Sequence, residues 1–366
     1  MIIRHAEWSP YVDPARRIAT RGESAREPRR GLVLRLENDD GDLAWGEATP
    51  FPAITGDGLD DVETSLERWA ATWLPVRLPS EAVSDPTALL ETLDAWNLRS
   101  MAARSAIETA LLDMLSRRQK LAAHQWLRTP DDAAGPVELQ LSGLLFPDEP
   151  AAMERQAKDL LDRGFTSLKV KMGLADRFES DRMRLEAVRR ILGADRGLRI
   201  DVNGQWQLIE ARALLARLAA YDPEFVEEPV AGKNLLEVGD SPVAIAADES
   251  LLDDDLRKKI FQAGTCSVAV LKPTWLGGPL AAWRIARKAR ALGIEPAFSH
   301  AFEGPIATAA AMEVALSMAP LRWPCGLWSF ETWPAWKIAP LPQISHGRIV
   351  SADRPGLGVP HFEPPK

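Results

Sequence analysis

The chain is poor in cysteine. Its 366 residues include two, Cys266 and Cys325, with no paired spacing. That excludes a disulfide scaffold and a cysteine-type zinc site, and it suits a reducing compartment. Both cysteines read as small core residues rather than nucleophiles. Also missing is any uninterrupted apolar run long enough to span a bilayer. The longest candidate, residues 306–321, contains Glu313 and Pro320 and reads as a buried helix. The opening Met-Ile-Ile-Arg-His-Ala-Glu lacks the basic head and apolar stretch of a signal peptide. A cytoplasmic protein with no membrane role is therefore expected. Positive charge is in deficit too: the net charge is −8, which argues against a nucleic-acid surface. No close repeat or low-complexity tract is visible.

What is present is an ordinary globular composition, 46% hydrophobic and 26% charged, in a chain long enough for one large and one smaller domain. Residues 1–30 read as extended and irregular. Arg16, Arg17, Arg21, Arg26, Arg29 and Arg30 crowd their second half. They make either a solvated loop or a mobile lid whose guanidinium groups meet an anionic substrate. The alternating segments 31–37 and 43–47 flank Asp39-Asp-Gly-Asp42 and predict a β-hairpin. Helical periodicity follows at 60–73, 86–97 and 100–118, the last strongly amphipathic. Residues 1–134 thus form an α+β capping domain, ending in a linker at 131–136. Residues 335–366, rich in proline, are expected to pack back on it.

Residues 135–334 alternate strand and helix. Strands are predicted at 138–144, 166–172, 198–203, 225–228, 243–248, 267–272, 295–299 and 326–330. Helices are predicted at 149–163, 176–192, 207–220, 253–263, 278–292 and 305–318, with a poor helix in 230–242. Seven or eight repeats of this unit imply an α/β fold: a parallel (β/α)7–8 barrel with an N-terminal α+β capping domain.

Five successive apolar strands end in charged residues, in the order Lys, Asp, Glu, Asp, Lys. The second strand ends Lys169-Val-Lys171, whose lysines share a face because strand side chains alternate. On an exposed edge such a pair would only blunt edge pairing. Downstream, however, come Asp201-Val-Asn203, Phe225-Val-Glu-Glu-Pro229, Ala247-Asp-Glu-Ser250 and Val270-Leu-Lys-Pro273. The C-terminal strand ends are where a parallel barrel places its active site. Three carboxylates converging there repel one another unless a cation sits among them. Single hard oxygen ligands suit Mg²⁺, with Mn²⁺ next, and Asp201, Glu227 and Asp248 are the expected ligands. Alternation turns Glu228 and Glu249 away, into supporting or salt-bridge roles. A lysine near a divalent cation and another lysine has a depressed pKa and can act as a base near neutral pH. Lys171 and Lys272, from opposite sides of the mouth, would face a planar intermediate from either side.

On these motifs the chain resembles the enolase superfamily, in its muconate lactonizing enzyme subgroup. Trp45-Gly-Glu47 and Ala103-Arg-Ser-Ala-Ile-Glu108 extend the likeness into the cap. A lysine base paired with Mg²⁺ is a known feature of such sites. Val270-Leu-Lys-Pro-Thr274 with Gly277-Gly278 is most similar to the o-succinylbenzoate synthases. These dehydrate 2-succinyl-6-hydroxy-2,4-cyclohexadiene-1-carboxylate, through an enediolate, in menaquinone biosynthesis. The resemblance implies that Lys171 takes the α-proton and returns it to the departing hydroxyl. It implies that Lys272 stabilises the intermediate by charge and cation–π contact, and that Lys169 tunes Lys171. Asn203, Ser299 and His300 are then candidate contacts for a small anionic carboxylate substrate. The seventh strand departs from the family: Phe298-Ser-His-Ala-Phe-Glu303 has His300 where a serine run is expected, so His300 reads as a substrate contact or structural residue rather than a base. The alternative is an N-acylamino acid racemase or dipeptide epimerase using two lysine bases. A dipeptide epimerase usually carries an acidic pair on strand eight; Cys325-Gly-Leu-Trp-Ser-Phe330 has no acid there.

Overall fold

Alternating apolar residues at the N-terminus build an antiparallel sheet. The structure, a computed structural model, describes residues 1–20, 23–130, 132, 138–146, 149–328, 337–339, 344–351, 354–358 and 361–363, with only the backbone for 14–20, 23–27, 337–339 and 361–363. Strands β1 (Ile2–Thr20), β2 (Glu23–Asn38) and β3 (Leu43–Ala48) pair in sequence. The described residues of 1–30 are thus mostly regular strand rather than irregular, and β1 and β2 pair antiparallel, with the inward Leu32, Leu34 and Leu36 of β2 fully buried. Arg21, and the side chains of Arg16, Arg17 and Arg26, lie outside the described residues. So do the proposed boundary near residue 134, most of the linker 131–136, and 329–336.

Helices α1 (Pro52–Thr55) and α2 (Leu59–Trp73) follow, then strand β4 (Val76–Arg77), which joins the free side of β1. Helices α3 (Ser80–Ser84), α4 (Pro86–Ala95), α5 (Met101–Arg118) and α6 (Ala123–Leu127) complete the cap. Helix α5 is not amphipathic as expected. It is buried almost all round, because it is packed between β3 and helices of the second unit.

Strand β5 (Glu138–Gln140) opens the C-terminal unit. The parallel strands are β6 (Ser142–Leu145), β7 (Ser167–Lys171), β8 (Gly197–Asp201), β9 (Phe225–Glu227), β10 (Ile245–Ala247), β11 (Val268–Leu271) and β12 (Glu295–Phe298), each paired with the next. Between them run α7 (Pro150–Asp162), α8 (Phe178–Leu192), α9 (Leu208–Leu218), α10 (Asp254–Ala263), α11 (Pro279–Ala291) and, after β12, α12 (Pro305–Ser317). The poor helix expected in 230–242 is a 3₁₀ turn at Gly232–Glu237.

The curled sheet closes through a very short eighth strand. Gly326 N–H donates to Phe298 O (2.8 Å) and Ser142 N–H to Cys325 O (2.8 Å), with parallel bridges Ser299–Gly326 and Leu141–Cys325. The barrel is therefore complete, and among the described residues its eighth strand is Cys325 and Gly326, beginning one residue before the predicted 326–330. Phe225, Ala246, Val268, Val270 and Ala297 form a separate apolar cluster. By alternation they share a face with Glu227, Asp248, Lys272 and Ser299, so this cluster fills the barrel beneath the charged strand ends.

The tail supplies β13 (Lys337–Ala339), β14 (Ile344–Ser345), β15 (Arg348–Val350) and β16 (His361–Glu363). Strand β15 pairs with β5, while Leu357 N–H donates to Asp113 of α5 at 3.0 Å. Among the described residues no helix is long and apolar enough to cross a membrane.

Candidate active site

Register brings the strand ends level. Lys171, Asp201 and Glu227 are direct neighbours across β7, β8 and β9. Lys171 Nζ donates to Asp201 Oδ2 and Asn203 Oδ1, both at 2.8 Å. Lys169 Nζ donates to Asp201 Oδ2 (3.0 Å) and to both oxygens of Glu227 (3.0 and 3.1 Å). Across the mouth, Lys272 pairs with Asp248, and its ammonium lies 4.2 Å from the centre of the Trp275 ring. Asp201, Glu227, Asp248, Lys171 and Lys272 are all buried.

Within the mouth the buried carboxylates and lysines shift one another's ionisation. Burial opposes the charge on Lys169, but Asp201, Glu227 and Asp248 outweigh it and hold the ammonium well above the usual lysine range. Lys272 is raised in the same way, against burial, by Asp248 and Glu249. Burial also works against charge on Asp201, yet Lys169, Lys171 and Lys272 hold it well below the carboxylate range. Asp248 moves oppositely: burial, then Glu249, push it well up.

The two neighbouring acids behave differently from each other. Glu228 accepts from the backbone N–H groups of Asp248 (2.7 Å) and Ser250 (3.0 Å), tying the end of β9 to that of β10. Burial and Glu249 push Glu228 up to about 8. Glu249 does not turn away. Residues 249–251 are a 3₁₀ turn, so strand alternation has ended, and Glu249 Oε1 accepts from Asn203 Nδ2 at 2.8 Å. Its other oxygen is buried and has no hydrogen-bond partner among the described residues.

The mouth thus holds four carboxylates, Asp201, Glu227, Asp248 and Glu249, against three ammonium groups. Among the described residues no three acid, imidazole or thiol groups converge around a common point; lysines stand between the carboxylates. The donor set is nevertheless all hard oxygen with an excess of negative charge, and Glu249 Oε2 is left unsatisfied. Those features fit a divalent cation such as Mg²⁺.

Above the charged layer is a cavity of about 80 Å³, lined by Lys169, Lys171, Asn203, Glu227, Lys272, Ser299 and His300. Its apolar wall includes Phe51 and Ile54 from the cap and Trp275, Phe302 and Trp328 from the barrel. Phe51 and Ile54 fall in the 50–55 segment that the sequence marks for specificity, Phe302 and Trp328 lie within the quoted strand-end motifs, and Trp275 directly follows Val270-Leu-Lys-Pro-Thr274; those motifs did not single out the three barrel rings as wall residues. His300 Nδ1 accepts from Phe302 N–H at 3.2 Å, which ties the imidazole to the backbone of its own loop. Gly326 packs so closely on Ser299 that a side chain there would strike the hydroxyl.

Two further acids position this mouth from the cap. Glu47 accepts from the N–H groups of Gly304, Ile306 (3.1 Å) and Ala307 (3.1 Å), at the start of α12. Glu108 accepts from Leu280 (2.9 Å) and Ala281 (3.1 Å), at the start of α11. Each carboxylate satisfies otherwise orphaned helix N–H groups and faces the positive end of the helix dipole. These helices directly follow the loops that carry Lys272 and His300.

Residues 152–362 match the family described as Enolase C-terminal domain-like. The chain belongs to the enolase superfamily. Its subgroup is that of muconate lactonizing enzyme. The chain is 28% identical over 294 residues to the L-Ala-D/L-Glu epimerase of Bacillus subtilis (strain 168), covering 78% of this chain and 77% of that one. It is 28% identical over 302 residues to the o-succinylbenzoate synthase of Desulfotalea psychrophila, covering 76% and 80%. Among solved structures it is similar to a muconate lactonizing enzyme from Pseudomonas fluorescens complexed with muconolactone, at 25% identity and a TM-score of 0.85 over 98% of this chain and 96% of that one. Members of this superfamily bind Mg²⁺. These two relatives, an epimerase and a synthase, stand at the same identity, so site chemistry has to discriminate between them.

Proposed function

We propose that this superfamily member is an o-succinylbenzoate synthase, a hydro-lyase of menaquinone biosynthesis acting in the cytoplasm. The observation that carries the reading is the cavity wall. Gly326 of the eighth strand and Trp328 beyond it line the cavity, and among the described residues the rest of the lining includes Lys169, Lys171, Lys272 and the rings of Phe51, Trp275 and Phe302, with Glu227 as the one carboxylate. An α-ammonium would meet Lys169, Lys171 and Lys272, whereas a dicarboxylate with a planar ring is matched by the lysines and by Phe51, Trp275 and Phe302.

Asp201, Glu227 and Asp248 would hold Mg²⁺, or Mn²⁺ in its place, and the bound ion supplies charge that attracts the substrate carboxylate and offsets the negative charge developing on proton removal. Lys171 is the base. Asp201 and Asn203 fix its nitrogen toward the cavity. It breaks the α C–H bond, and the resulting electron pair forms the new ring double bond as the C–O bond breaks. The same proton then leaves on the departing hydroxide as water. Lys272, held between Asp248 and the Trp275 ring, faces the opposite side of the substrate and stabilises its charge. Lys169 keeps Asp201 and Glu227 together. Asn203, Ser299 and His300 are placed to touch the substrate. We take residues 1–134 with 335–366 as the cap and 135–334 as the catalytic barrel.

The test is turnover of the cyclohexadiene substrate, followed by its absorbance, with Mg²⁺. Turnover that disappears in Lys171→Ala and with chelator is the expected result. A folded, metal-binding protein that leaves the substrate untouched but exchanges the α-proton of an N-acylamino acid or dipeptide in heavy water would establish the racemase or epimerase reading instead.

A further inference from the structure

Arg29 is buried, 7% exposed, on β2 where the hairpin passes the barrel mouth. Its guanidinium reaches three segments far apart in sequence. Nη2 donates to Pro50 O at 3.1 Å, Nε donates to Phe302 O at 3.3 Å, and the plane lies 4.6 Å from the centre of the Phe51 ring. It is thus engaged with backbone and an aromatic face.

Its barrel partner is unusual. Phe302 has φ +57°, a left-handed conformation that a bulky residue adopts only when its surroundings hold it there. The ring of Phe302 meets that of His300 edge-on, centres 4.7 Å apart, and both line the cavity. On the other side, Phe51 meets Trp275 edge-on at 5.8 Å, and Trp275 carries Lys272. One guanidinium therefore touches the loop behind each wall of the mouth. Lysine could not replace it, since an ammonium offers neither the planar fork nor the stacking face.

We propose that Arg29 is a positioning residue: a clamp that holds Phe302 in its left-handed turn and Phe51 against Trp275, and so sets the width of the substrate cavity. The loop part of this inference stands on geometry alone; its effect on turnover rests on the function proposed above.

The test compares wild type, Arg29→Met and Arg29→Lys by hydrogen exchange. The N–H groups of Ala301, Phe302 and Gly304 are bonded to Glu303, His300 and Glu47, so their exchange reports on this loop. In Arg29→Met the peptide covering 299–304 should exchange on the order of tenfold faster, with the α5 peptide unchanged, and Arg29→Lys should recover little of the protection. Placing glycine at the strained position, Phe302→Gly, should shrink the effect of Arg29→Met on this peptide, because no strain is left to hold. With the synthase substrate, KM should rise about tenfold while kcat changes by less than about threefold. Unchanged exchange at 299–304, or faster exchange spread equally over the barrel strands, overturns the clamp. If Arg29→Met does not fold, Arg29→Lys carries the same comparison. If wild type does not turn over the cyclohexadiene, the function reading fails and the exchange result still decides the clamp.

Discussion

Lys169 lies between Asp201 and Glu227 and contacts three of their four carboxylate oxygens. Removing its charge leaves two buried acids facing each other. In the metal-free protein, Lys169→Met should therefore cost about 3 kcal/mol, read from urea unfolding with chelator present. Saturating Mg²⁺ should restore part of that loss if Asp201 and Glu227 are ligands. The two thiols make a contrasting case. Burial pushes both Cys266 and Cys325 up to about 12. At pH 8 almost none of either is thiolate, so a thiol reagent should label neither until the protein unfolds. Rapid labelling of the native protein would contradict their assignment as core residues.

At the scale of elements, the cap is fastened to the barrel by helix ends. Glu47→Ala leaves the N–H groups of Gly304, Ile306 and Ala307 without an acceptor inside the protein and should cost about 2–4 kcal/mol in urea unfolding. Gly278 has φ +137° and packs against Glu108, so Gly278→Ala should also destabilise, by roughly 1–3 kcal/mol, and loosen the loop behind Lys272. Much of the charged mouth was readable beforehand, because period-two alternation and the polarity of a parallel barrel assign Lys171, Asp201, Glu227 and Lys272 to one end and one face. What escaped followed other rules. Glu249 turns back because a 3₁₀ turn replaces the strand there. Helix α5 is buried all round because it is sandwiched between the cap and the barrel, which its own periodicity does not record. Glu47 and Glu108 end the two quoted cap motifs, but what they do shows only once the helices they face, more than 170 residues away, are in place. The eighth strand was expected at 326–330, but two bridging residues are too few to fix its bounds from pattern.

For the molecule as a whole, excess acid at the mouth makes folding and ion binding reinforce each other. An ion that binds only the folded chain stabilises it by about 2.7 kcal/mol at a hundred times its dissociation constant. Mg²⁺ should accordingly raise the melting temperature, and Asp201→Asn should shrink that rise; an equal shift in both proteins would place the ion elsewhere. The two-point fastening by Glu47 and Glu108 also bears on heredity. A gene fragment encoding only the barrel would leave the starts of two helices without their acceptors and strip α5 from the apolar faces of α11 and α12. Such a fragment should not yield a soluble product. A chimaera that borrows its cap from a relative would need a carboxylate at both docking positions, so cap and barrel are constrained to evolve as a matched pair rather than as interchangeable modules.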